Sequence, residues 1–428
     1  MILKLFKKKI LELAQNPKII IKKIFVLFKV ILKFIILIIE MPIYIICIPV
    51  IFFILISNNF YKIRFGIIRS QPFGNSMLDM SLIKLFKNLE KSKSLDLFCY
   101  KKKFINTQLF KFAKREFNIS YLYKYFYNLS NIFRLKSIQF PTTPELRDHY
   151  SIFKDKQRRY GNHFPYFKFK NDEDENAYEF LKKVGLNKDS KFICIILRDS
   201  KYKTKLSDGI DYDYHSFRNV DVNNYKQTII KLIEKGYWVF RMGSIVENKL
   251  DINSEKFIDY PFINGRNDML DIWLMAHCHF CITSGTGLDM ASICFGKPIV
   301  YTNLAEYKPP FFFFNSDLAI FKRIKSTKTN KILSFSEIKK NNLTNIMSKK
   351  TLDAKKLVLE ENSSEEITET VIEMHEKMNN SNKYENYNSQ KKFWQNLLAE
   401  NISDDNQNNF KTRIGKFYFE KNLHWLNN

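Results

Sequence analysis

CITSGTGLDMASICFGKPIVYTN, residues 281–303, reads as strand, turn, helix and strand in 23 residues. Phe280–Thr283 is a short apolar run that suits a strand. The small residues Ser284-Gly285-Thr286-Gly287 cannot extend it and predict a tight turn. Leu288–Phe295 has helical apolar spacing, and Pro298–Thr302 reads as a second strand. Two strands joined by a helix make the repeating unit of a parallel sheet.

The pattern continues on both sides. Lys191–Leu197 (KFICIIL) is an almost wholly apolar strand. Asp221 is placed to cap a helix that runs to Lys235 and is ended by Gly236. Trp238–Met242 and Phe257–Asp259 read as strands, and Asp268 and Asp271 open a helix to about Ala276. This alternation predicts a doubly wound α/β domain over 171–322, with ligands at the C-terminal ends of its strands. Upstream, strands at Lys62–Ile68 and Leu95–Cys99 alternate with helical patterns at Ser76–Leu89, Thr107–Phe117 and Ser120–Phe133. They predict a second α/β domain over 61–170, ending in a connection that starts beyond Gln139. The stretch 323–362 is rich in Lys, Ser, Thr and Asn and reads as a polar linker. Over 363–428, Ser363 and Glu366 form a capping-box pattern before a helix, and an aromatic-rich tail is expected to pack back on the body, against the first domain.

The formal charge is +25, yet Lys, Asn, Ile, Phe and Tyr are all raised together, so placement says more than the total. Residues 1–34 hold nine Lys and one Glu. Lys18, Lys22, Lys29 and Lys33 fall within about 60° of one another on a helix. The apolar stretch Phe34–Ile56 follows, interrupted by Glu40, Pro42 and Pro49 and flanked beyond by Lys62, Arg64 and Arg69. Residues 1–60 therefore read as a helical anchor on an anionic membrane surface, re-entrant or monotopic rather than a plain span. Cations on both flanks place both ends in the cytoplasm. The six cysteines are scattered, and Cys278-His279-Phe280-Cys281 lacks the second pair that a zinc site needs, so buried reduced thiols are expected. No nucleic-acid recognition motif is present, and no nucleic-acid partner is expected.

Chemistry-bearing residues collect at predicted strand ends. Ser284, Gly285, Thr286 and Gly287 precede a helix, where backbone N–H groups favour a phosphate. Arg198 and Asp199 follow the KFICIIL strand, and Arg241 and Gly243 follow the Trp238 strand. His215, Arg218 and Asn219 lie in the connection YDYHSFRN (212–219). A guanidinium there suits a diphosphate. Asp79, in the turn-to-helix segment after Gly74, is a candidate general base for an acceptor hydroxyl, and His215 is a second catalytic candidate. Asp211-Tyr212-Asp213 matches an Asp-x-Asp metal motif, but the surrounding architecture does not, and no metal site is expected.

The runs YHSFRNVDVNNY (214–225), GYWVFRMGS (236–244), CITSGTGLDMASICFGKPIVYTN (281–303) and RIGKFYFEKNLHWL (413–426) resemble a bacterial surface-polysaccharide glycosyltransferase family. The resemblance implies a GT-B-type pair of Rossmann-like domains behind the anchor, with the donor held mainly by the second. It implies transfer of a sugar from a nucleotide-diphosphate sugar to a cell-surface glycan or lipid-linked acceptor. It also implies no bound cofactor and metal-independent chemistry at the cytoplasmic face of a bacterial inner membrane. The family's first domain often opens with an Arg-Ile-Gly-His loop. Here Arg69–Asn75 takes that place, with Asn75 in the histidine position. A nucleotide-sugar epimerase of the same fold, and a membrane-surface adaptor without catalysis, are the rival readings. An epimerase would convert a nucleotide-sugar supplied alone.

Overall fold

The computed structural model describes residues 17–90, 93–150, 167–199, 213–307, 317–344, 348–379, 390 and 413–426. In chain order, the first elements are α1 (Pro17–Ser57), β1 (Lys62–Ile67), α2 (Phe73–Leu89), β2 (Ser94–Cys99), α3 (Thr107–Glu116), β3 (Asn118–Ile119), α4 (Lys124–Ile132), α5 (Thr143–Tyr150) and α6 (Asn171–Lys183). Next come β4 (Phe192–Ile196), α7 (Lys226–Glu234), β5 (Trp238–Met242), β6 (Phe257–Asp259), α8 (Asp268–His277), β7 (Cys281–Thr283), α9 (Asp289–Cys294), β8 (Ile299–Leu304) and β9 (Leu318–Phe321). The last are β10 (Arg323–Ser326), α10 (Phe335–Lys340), α11 (Lys349–Ala354), β11 (Leu357–Glu360), α12 (Ser364–Asn379), β12 (Arg413–Ile414) and α13 (Lys416–Lys421). The expected α/β class is met: two parallel sheets follow an apolar N-terminal helix.

The chain packs into two compact units. The first takes in the described parts of Met1–Ile67, Ser92–Tyr100 and Asn118–Phe140. Its sheet is parallel, in the order β1-β2-β3. Arg64 on β1 and Asp96 on β2 are paired in register, and Arg64 Nε reaches Asp96 Oδ1 at 2.7 Å. Arg64 is 3% exposed, so it is an internal tie and not the free flanking cation expected beside a membrane.

α1 runs unbroken through Pro42 and Pro49, so the turn-back of a re-entrant segment is absent from the described residues. At 41 residues it is about 60 Å long, against roughly 30 Å of bilayer hydrocarbon. Its Val30–Ser57 stretch is long and apolar enough to cross a membrane. Glu40 does not break it because α4 supplies partners: Lys124 Nζ donates to Glu40 Oε1 at 2.6 Å, and the Tyr125 hydroxyl at 3.2 Å. Cys47, Ile51 and Ile54 are buried with Phe65, Tyr125 and Leu129, which fixes one face of the helix on this unit's core. Other apolar side chains stand open, such as Ile39 at 69% and Phe53 at 70%. The cationic stripe rests on Lys18, Lys22, Lys29 and Lys33, whose side chains lie outside the described residues.

The second unit takes in the described parts of Ile68–Lys91, Lys101–Phe117 and Pro141–Asn428. Its seven strands are ordered β12-β9-β8-β7-β4-β5-β6, and every pairing is parallel. β4 (FICII) is buried at all five positions because the sheet is covered on both faces. All six cysteines are buried, and none is in a disulfide.

Two expectations are corrected here. Residues 323–362 are not a linker: β10 and β11 pair antiparallel, and α10 and α11 lie between them. Polar composition hid this fold because alternation within four-residue strands is too brief to stand out. Among the described residues, the tail packs on the second unit's sheet. β12 adds an edge strand to β9 of the seven-stranded sheet, and the Tyr418 hydroxyl donates to the Phe321 carbonyl at 2.8 Å. The capping box at Ser363 and Glu366 forms as read, with Ser363 N–H donating to Glu366 Oε2 at 2.8 Å.

Candidate functional site

From β4 the chain builds outward through β5 and β6, then returns to the other side of β4 for β7, β8 and β9. The strand order therefore reverses between β4 and β7. At such a switch point the connections leave toward opposite faces, and a crevice opens at the carboxyl ends of the strands. A cavity of about 640 Å³ lies there. β4 delivers Arg198 and Asp199 to it, β5 delivers Gly243, and β7 delivers Ser284–Gly287. Gly74 and Asn75, at the start of α2, line the same cavity, as does Arg218.

Local bonds hold these loops. Ser284 Oγ accepts the Arg198 N–H at 2.8 Å, which ties the ends of β4 and β7 across the switch point. Arg218 Nη2 donates to the Gly285 carbonyl at 2.9 Å. Gly285 has φ +77, a conformation that other residues rarely adopt. The loop carrying Arg218 is pinned from beneath by Lys322, which the sequence did not single out. Lys322 is 2% exposed, and its Nζ donates to the carbonyls of Asn219 at 2.6 Å and Phe217 at 3.2 Å. Burial pushes its pKa down, although Glu361 works against this. Asn219 thus serves through its backbone and does not line the cavity.

The helix start differs from the expected phosphate cradle. Thr283 Oγ1 accepts the Gly285 N–H at 3.0 Å, and Asp289 Oδ2 accepts the Thr286 N–H at 2.8 Å. A buried carboxylate of the chain therefore occupies the first turn of α9, where an incoming phosphate was expected. Other lining carboxylates are also committed to loops: Asp268 Oδ2 takes Thr107 N–H at 2.8 Å, and Asp199 Oδ2 takes Glu247 N–H at 3.2 Å. The cationic character of the cavity comes from Arg198, Arg218 and Arg266.

Burial raises Asp289 to about 6, opposed by its bonds to Thr286 and Thr283 and by Arg218. A carboxyl whose pKa is higher folded than unfolded binds more protons in the native state between the two values. Its contribution to stability is therefore lost as pH rises from about 4 to about 6. Asp289→Asn should flatten this part of the stability–pH curve in denaturant titrations. An unchanged difference between pH 4.5 and pH 6.5 would refute the assignment.

Two expected site residues do other work. Arg241 is 2% exposed and lies outside the cavity lining. Its Nη1 donates to Asp259 Oδ2 at 3.2 Å and to the Asn248 carbonyl at 2.7 Å, because Asp259 is its register partner on β6. Asp79 is 1% exposed and also lies outside the lining. Its carboxylate accepts Arg69 Nε at 2.9 Å, Arg69 N–H at 3.0 Å and Thr143 Oγ1 at 2.8 Å. With its oxygens so engaged it closes a loop and is not a waiting base. His215 sits in the six-residue 3-10 segment Asp213–Arg218, but its side chain lies outside the described residues, as do Asp211 and Tyr212. Among the described residues, no group of three or more His, Cys, Asp or Glu could hold a metal ion.

Sequence reasoning missed Arg266, Asp271 and Asn303 as cavity residues. Asp268 and Asp271 read simply as helix openers, and their spacing carried no sign of the cavity. Asn303 lies within β8 at a register irregularity between Tyr301 and Leu304, and its φ of +54 is one that an Asn tolerates.

No protein-family model matches the chain, and no curated protein matches it. Among solved structures it is similar to a family 9 glycosyl transferase from Veillonella parvula, at 12% identity and a TM-score of 0.40, over 74% of this chain and 97% of that one. It is similar to E. coli ADP-heptose LPS heptosyltransferase II at 11% identity and 0.34, over 60% and 90% of the two chains. E. coli heptosyltransferase WaaC, solved with ADP, aligns at 10% identity and 0.30, over 65% and 96%. At this identity and overlap they assign no residue and no activity to this chain.

Proposed function

We propose that the protein is a glycosyltransferase that moves a sugar from a nucleotide-diphosphate sugar to a cell-surface glycan or lipid-linked acceptor. The observation behind this reading is the meeting of Arg198, Arg218 and the Ser284–Gly287 turn in one cavity at the switch point of a parallel sheet. As the bond to the sugar lengthens, negative charge grows on the departing diphosphate. Fixed guanidinium groups at that place lower the barrier, and their planar forks match phosphate oxygens. The four sequence runs quoted above independently resemble a family with this chemistry.

In this reading the donor is a substrate and no resident cofactor takes part. The arginines supply the counter-charge that a divalent ion would otherwise give. The acceptor approaches past Gly74 and Asn75. The open apolar surface of α1 supports contact with a membrane, which in this reading is the cytoplasmic face of a bacterial inner membrane.

Thermal stabilisation of the full-length protein by a panel of nucleotide-diphosphate sugars tests the proposal. If none stabilises it, the transferase reading fails. Arg218→Ala should weaken binding of the best ligand roughly 10- to 100-fold, the worth of one charge-assisted contact. Wild-type affinity by calorimetry would remove Arg218 from the site.

A further inference from the structure

The same cavity has polar groups that a diphosphate held by Arg198 and Arg218 leaves unused. Arg266 stands just before α8, and Asp271 lies in its first turn; both line the cavity. Arg266 Nη2 donates to Asp271 Oδ2 at 2.9 Å, but Arg266 Nε is buried without a hydrogen-bond partner. Thr286 Oγ1, on another lining residue, is in the same condition. The Tyr260 hydroxyl lies within hydrogen-bonding reach of the Asp271 carboxyl and helps to hold it charged, so Asp271 is partly satisfied from that side.

Leaving such an atom buried and unpaired is unfavourable, because it has given up water and gained no partner. Folded proteins carry few of them, and those that persist call for a missing partner. Arg266 Nε and Thr286 Oγ1, on residues lining one cavity, point to a polar ligand there. The donor set limits its chemistry. Asp268, Asp271 and Asp289 all line the cavity and disfavour a further anion near α8. A hydroxyl group fits, because it can donate to a carboxylate and accept from a guanidinium or a threonine hydroxyl.

We propose that Arg266, Asp271 and Thr286 form a hydroxyl-recognising subsite for the sugar carried by the donor. The proposal rests on the glycosyltransferase reading and gives it a residue-level basis for choosing the sugar. Burial raises Asp271 to about 6, against the pull of Arg266, so at pH 7.5 the group is mostly an acceptor for hydroxyl protons. A sugar lacking the bonded hydroxyl would leave these atoms unpaired and be rejected.

The test compares affinities of full-length protein for UDP, ADP and GDP and for their hexose conjugates, by calorimetry at pH 7.5. Asp271→Asn keeps the shape of the side chain and should weaken the best hexose conjugate at least tenfold, while its parent diphosphate stays within twofold. Arg266→Met, which keeps the side-chain stem but removes the Nε donor, should show the same selective loss. Equal loss of conjugate and diphosphate in both variants would overturn the subsite, as would no change in either. Wild-type protein that binds none of the six ligands would instead sink the transferase reading itself.

Discussion

Gly74→Val should abolish donor binding and leave the seven-stranded sheet folded. A Cβ at Gly74 would stand 2.9 Å from the Gly287 Cα and 3.0 Å from the Gly287 carbonyl oxygen. Both are backbone atoms, so no side chain can swing aside. The reverse approach is similarly close: a Cβ at Gly287 would lie 3.2 Å from the Gly74 nitrogen. Valine adds two more methyl groups, and one of the two cavity-lining turns must move. A shift of about 1 Å in groups that position a substrate can cost roughly 100-fold in rate. Calorimetry with the donor, beside circular dichroism to check folding, measures this. Gly74→Ala should act in the same direction with a smaller effect. Wild-type affinity in the valine variant would show that the approach of the two glycines is incidental to the site.

Asp79→Ala should destabilise the protein by about 3 kcal/mol, near the low end for breaking a buried ion pair. The loss includes the Arg69 guanidinium, the Arg69 N–H and the Thr143 hydroxyl, all held by one carboxylate. The figure stays low because the Arg69 side chain is 37% exposed and can turn to water when its partner is gone. Chemical denaturation would report the change. Asp79→Asn separates this role from general-base catalysis: it should lower stability and leave kcat of the folded fraction within a few fold. A drop in kcat of about 1,000-fold at unchanged stability would restore Asp79 as the base.

These two residues show how far the chain could be read without its fold. Gly74 and Gly287 were each legible as turn residues before a helix. That they touch is a fact about 212 intervening positions and leaves no local mark. Asp79 and Arg241 were legible as charged residues beside turns. Whether such a group faces a ligand or a partner inside the protein depends on what the fold sets against it. For Arg241 that partner is Asp259, brought alongside by the register of β5 and β6. For Asp79 the partners include Thr143, 64 residues away. Arg198, Gly243 and Ser284–Gly287 line the cavity because each lies just beyond a strand, and parallel strands carry all their C-terminal ends to one edge.

Sequence alone determined the periodic features: the order of strands and helices from Lys191 to Leu304, the apolar helix at the start, and the capping box at Ser363. These rest on interactions between residues a few positions apart, which side-chain pattern records directly. Tertiary structure decided which charges are used up. Glu40 is matched by Lys124, Arg64 by Asp96, and the first turn of α9 is taken by its own Asp289. It also decided that the tail joins the seven-stranded sheet and that Arg266 and Asp271 reach the cavity. A charge is costly to bury until a partner arrives, and that partner can come from anywhere along the chain.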